Sequence, residues 1–88
     1  MNKNRRNELM EWVKKADAWI TQGEELKSKL ENICSDEQDY FDNMPENLQS
    51  SMRAMDAEEA IDAMNEAIAS MDSAIEAAEE AASCIEDI

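Results

Sequence analysis

The sequence predicts an all-α fold, an antiparallel helical hairpin of coiled-coil type that pairs with a second copy into a dimeric four-helix bundle. Three observations predict it. One Gly and one Pro among 88 residues leave too few turn-forming residues for a many-stranded fold. The one strong break, Asn43-Met44-Pro45-Glu46-Asn47, divides the chain into two segments of near-equal length. After that break, apolar residues recur every seventh position, the period of a helix–helix seam rather than of a strand.

The elements follow in chain order: a first helix over about 5–43, a turn over about 43–50 and a second helix over about 51–87. The first segment carries an apolar stripe at Leu9, Val13, Ala16, Ile20, Gly23, Leu26, Leu30, Ile33, Glu37, Tyr40 and Met44. Its 4-3 spacing slips at Gly23, where two threes follow one another, so the glycine is expected to mark a kink or a close contact. Trp12 and Trp19, one heptad apart beside this stripe, are expected in the packed face, with Phe41 next to Tyr40. Proline disfavours helix at the residue before it and suits the first turn of a new one. The second helix therefore has two candidate starts, Pro45 and the capping box Asp56-Ala57-Glu58-Glu59.

Beyond Ala60 the heptad is unbroken. With Ile61 at position a, the a positions are Ile61, Ile68, Ile75 and Ala82. The d positions are Met64, Met71, Ala78 and Ile85, and Ala60, Ala67, Ala74 and Ala81 fall at g. The expected seam residues are Ile61, Met64, Ile68, Met71, Ile75 and Ile85, packed tightly because the alanines let another backbone approach. Cys34 and Cys84 also fall on apolar stripes and read as buried thiols. In a hairpin they stand about 11 residues before the turn and about 39 after it, some 40 Å apart at about 1.5 Å per residue, so no intrachain disulfide is expected.

Charge is uneven. Residues 1–15 carry +3 and residues 16–30 carry −1, whereas residues 31–88 hold 17 acids against Arg53 alone and carry −16, so that the whole chain stands at −14. An antiparallel hairpin sets the basic first turns (Lys3, Arg5, Arg6, Lys14, Lys15) beside Glu76, Glu79, Glu80, Glu86 and Asp87, offsetting two unfavourable helix-dipole arrangements. A lone hairpin leaves Met and Ile partly wet, hence the expected homodimer.

The composition excludes several chemistries. Such an acidic chain repels nucleic acid, so no direct nucleic-acid partner is expected. The chain has no His, which removes the usual general base and the Glu-x-x-His pairs of di-metal bundles. The acidic group Asp36, Glu37, Asp39, Asp42 and Glu46 lacks the alternating ligands and sixth-position glycine of a calcium loop. No phosphate-binding glycine loop is present. No enzyme activity, metal or cofactor is expected. No apolar run reaches the roughly 18 residues of a membrane span and no signal peptide is discernible, so the expectation is a cytoplasmic protein with no membrane partner.

What remains is the anionic surface. From Asp56 to Asp87 the acids fall about one per 4 Å of helix axis, against about one per 1.7 Å in duplex DNA; two copies approach that density. The expected function is that of a binding protein that blocks a basic, nucleic-acid-binding surface of another protein, through Asp36, Asp39, Asp42, Glu46, Asp62, Glu66 and Glu76. The alternatives are a self-assembling scaffold whose acids only confer solubility, and an adaptor docking through Tyr40, Phe41 and Met44.

The stretch from Asp36-Glu37-Gln38-Asp39-Tyr40-Phe41 through Asn43-Met44-Pro45-Glu46-Asn47-Leu48-Gln49, with Ala57-Glu58-Glu59-Ala60-Ile61-Asp62, resembles a group of small helical proteins of bacteriophages and mobile elements of Gram-positive bacteria. The resemblance spans roughly residues 31–80 and supplies no functional residue. It implies a phage setting inside a bacterial host cell, where an acidic protein of this size looks like an inhibitor of host nucleases or defence systems, a DNA mimic or an anti-CRISPR protein among them.

Overall fold

The computed structural model describes residues 1–48 and 50–88; Gln49, the last residue of the motif at the bend, lies outside the described residues. Two helices, α1 (Lys3–Asp42) and α2 (Met52–Glu86), pack along each other and a short 3-10 turn, Glu46–Leu48, sits between them. The hairpin measures 69 × 15 × 14 Å. No strand occurs among the described residues.

The helix ends follow from local hydrogen bonding. Asn2 caps α1, its Oδ1 accepting from the Arg5 amide at 2.8 Å, which supplies a partner where the basic first turn opposes the dipole. At the other end Asn43 donates its backbone N–H and its side-chain amide to the Asp39 carbonyl, at 3.0 and 2.8 Å. Pro45 then turns the chain, and its carbonyl accepts from Leu48 N–H at 2.9 Å. α2 starts at Met52, next to the bound of about 51 given above and between the two candidate starts Pro45 and Asp56, because the Ser51 hydroxyl caps it by accepting from the Ala54 amide at 3.3 Å. A serine cap needs only a free turn behind it, and the 3-10 segment provides one.

The seam is a strict 3-4 repeat on both helices. On α2 it runs Ala54, Ala57, Ile61, Met64, Ile68, Met71, Ile75, Ala78, Ala82 and Ile85; Ile61 and Ile75 are buried, and Met64, Ile68, Met71 and Ile85 half-buried. On α1 it runs Leu9, Val13, Ala16, Ile20, Gly23, Lys27, Leu30, Cys34, Glu37, Phe41 and Met44. The expected slip at Gly23 does not occur. Lys27, Cys34 and Phe41 occupy the positions that apolarity alone assigned to Leu26, Ile33 and Tyr40, and those three are exposed. The physical reason is that two packed helices share one period, and α2 never breaks its own. Lys27 is tolerated because its stem lies along the seam while its ammonium pairs with Asp72.

Gly23 is the close contact. It is buried, with no unusual backbone angle, and a Cβ there would stand 3.4 Å from Ile75 Cγ1, in ordinary van der Waals range. Gly23→Ala is therefore expected to stabilise the hairpin by about 0.5–1 kcal/mol through helix propensity. Ile75→Ala, which removes a buried branched side chain, is expected to cost about 2–4 kcal/mol. Urea unfolding of the two variants, followed by helical circular dichroism, gives both signs.

Candidate functional site: one polar and one apolar flank

A two-helix seam leaves two flanks, and the heptad decides what each carries. With a and d facing the other helix, positions e and g border the seam on opposite sides, b and f point outward beyond e, and c lies beside g. On α2 the acids Glu58, Glu59, Asp62, Glu66, Asp72, Glu76, Glu79, Glu80, Glu86 and Asp87 all stand at e, b or f. Asp56 is the one acid of α2 elsewhere. The result is a continuous anionic face along the outer side of α2.

The residues proposed from sequence as anionic contacts are all exposed, but they do not form one cluster. Asp62, Glu66 and Glu76 share the outer face of α2. Asp39, Asp42 and Glu46 stand around the bend, where Asp42 Oδ1 also accepts from Gln38 Nε2 at 2.9 Å. Asp36 is at c, on the other flank, beside Ile33 and Tyr40. No group of three or more metal-ligating side chains among the described residues is placed to hold an ion, and no helix among them is long and apolar enough to cross a membrane.

Lys27 and Asp72 form the one ion pair among the described residues. The basic first turns and Glu76, Glu79, Glu80, Glu86 and Asp87 share the open end of the hairpin, but no ion pair joins them among the described residues. Long exposed side chains gain too little from such contacts to be fixed by them. On the same e side the buried Cys34 thiol donates to Asn65 Oδ1 at 3.6 Å. Cys84 is exposed, against expectation, because it occupies c rather than the seam. Both thiols are free.

The opposite flank was missed by hydropathy reading. Trp12, Trp19, Leu26, Ile33 and Tyr40 are spaced by seven at g, with exposures of 43, 52, 62, 49 and 49 %. The tryptophans expected in the packed face are therefore half in solvent. Trp12, Trp19 and Ala16 share a groove with Ala78 and Ala81 of α2, which places α2's alanine row on the same side. At the bend this flank ends in a largely apolar cavity of about 770 Å³, where Tyr40, Met44, Pro45, Leu48 and Met52 share the lining with Asn43, Ser51 and Arg53. The signal that identifies this flank is the seven-residue spacing of the large residues themselves, read as a second stripe instead of as part of the first.

No family model, curated protein or solved structure matches this chain.

The Lys27 ammonium is held above the ordinary lysine value, chiefly by its hydrogen bond to Asp72. The charges of Asp72, Glu31 and Glu24 add to this, and partial desolvation opposes it. A raised folded value means that the pair's contribution is complete below the unfolded lysine pKa of about 10.4 and lost as pH rises through the folded one. The stability difference between the native chain and Lys27→Met is thus expected to be flat from about pH 7 to 9 and to move against the native chain above about pH 10.5, as read from urea midpoints across that range.

Proposed function

We propose that this chain is a non-enzymatic binding protein whose anionic face occupies a basic, nucleic-acid-binding surface of another protein. The observation that carries the reading is the segregation of acids on α2: all but Asp56 lie at e, b and f, in one row along the helix. A row at roughly one charge per 4 Å of axis has the linear character of a phosphate backbone. Asp62, Glu66 and Glu76 supply the middle of the row, and Asp39, Asp42 and Glu46 extend it toward the bend. Without His, and with no paired nucleophile and base, the chain acts by occupying a surface rather than by chemistry.

A homodimer fits this role, since two such rows approach the charge density of duplex DNA. The resemblance around the bend to phage and mobile-element proteins supports an anti-defence role of the anti-CRISPR or nuclease-inhibitor kind, in the cytoplasm of a bacterial host. A second reading, a self-assembling structural module, is favoured by one observation alone, the exposed apolar flank.

Both readings are tested by the triple charge reversal Asp62→Lys, Glu66→Lys, Glu76→Lys. Binding to basic nucleases and nucleic-acid-binding proteins is expected to weaken at least tenfold between about 50 and 500 mM salt, as the Debye length shortens, and to be lost in the reversal variant. If no salt-sensitive binding to any such protein occurs and the variant assembles as the native chain does, the inhibitor reading is overturned in favour of the structural one.

A further inference from the structure

We propose that two copies of this chain pair through the apolar flank, antiparallel to each other, with Leu26 of each copy on the twofold axis. This rests on the dimer proposed above and adds its face and its direction.

The face is identified by charge and by shape. The chain carries −14 overall, yet positions g and c of α1 and α2 from Glu8 to Tyr40 and from Arg53 to Cys84 hold Glu8, Lys15, Lys29, Asp36, Arg53 and Asp56, three of each sign. This flank alone is electrically balanced, so two copies meet on it without opposing the net charge of their outer faces. The large side chains stand on α1, and the facing positions of α2 (Ala60, Ala67, Ala74 and Ala81) are small, so a second hairpin can approach closely along α2. The hairpin's extents of 69 Å and 15 Å outline a face of roughly 1,000 Å², room for the about 800 Å² per partner that stable interfaces bury.

The direction is identified by the two ends. On the flank itself, at positions g and c, the bend end carries Asp36 and Asp56 against Arg53, and the open end carries Arg5 and Lys15 against Glu8; the other acids of the open end, Glu76, Glu79, Glu80, Glu86 and Asp87, stand at e, b and f on the far side. Stacking like ends brings two acidic bends together; stacking unlike ends brings each bend to a basic end. With Leu26 on the axis, Trp19 lies across from Ile33 of the second copy and Trp12 from its Tyr40, at the mouth of the apolar cavity at the bend. Lys15 then stands across from Asp36, and Arg5 and Arg6 from Glu46. A twofold interface must be self-complementary, and this register satisfies that with both apolar and charged pairs.

The test uses the full chain with Cys84→Ser, leaving the buried Cys34 in place. Sedimentation equilibrium at about 10 µM is expected to report a dimer. Leu26→Cys is expected to link covalently to itself within minutes under mild oxidation, and Trp19→Glu to raise the dissociation constant at least tenfold while helicity is kept, because Trp19 is already half-exposed in the single hairpin. A monomer at all concentrations overturns the dimer and this inference together. A dimer that survives Trp19→Glu, or that links through Gln38→Cys on the polar flank, overturns the face and leaves the dimer standing. A dimer in which Leu26→Cys links to Ala74→Cys and not to itself overturns the direction alone.

Discussion

The structure depends on period matching between two helices of one chain. α2 holds a 3-4 repeat from Ala54 to Ile85 without interruption, and a helix packed against it for most of its length is obliged to do the same. This explains why a lysine, a cysteine and a phenylalanine occupy seam positions of α1 while a leucine, an isoleucine and a tyrosine one residue away face solvent. Hydrophobicity has lost to register. The loss is small at each site because a lysine stem covers apolar surface and its charge finds Asp72, and because cysteine packs as a small hydrophobe.

The same obligation generates the two flanks. Once the seam is set, every other residue has a side, and the remaining apolar and acidic residues segregate onto opposite ones. Acids gather on e, b and f of α2; large apolar side chains gather on g of α1; alanines fill g of α2. An isolated hairpin gains no stability from this arrangement, since half-exposed tryptophans bury little and crowded acids repel. It becomes economical in an assembly where one flank is covered and the other stays in water, the pattern of an interface core next to a soluble exterior.

Much of this was legible in the residues. The hairpin followed from one proline between two glycine-poor segments, and α2's stripe from Ile, Met and Ala at fixed spacing. The first helix was harder because it carries two apolar stripes one residue apart. Choosing the more hydrophobic residue at each step moves from one stripe to the other at Gly23 and reports the crossing as a slip. The tryptophans suffered from the same habit: helical spacing shows that residues share a face, not which face is inside. Cys84 was misplaced because c and g border each other on an alanine-rich helix, where apolarity barely changes around the circumference. The cap of α2 was left open between Pro45 and Asp56 because a lone serine cap at Ser51 is a weaker pattern than a proline or a capping box. The anionic surface required only counting, and its confinement to one side of α2 emerged once the seam was in place.

Both indole rings of the molecule, Trp12 and Trp19, lie on the α1 flank within two turns of each other and half in water. Ultraviolet emission of the unlabelled protein therefore comes from that stretch of surface and from little else. A shift of its spectrum toward the blue signals that something has covered this stretch, while a ligand seated only on the acidic side of α2 leaves the colour of the emission where it was. The molecule thus carries a built-in optical gauge that separates the occupancy of one side from that of the other.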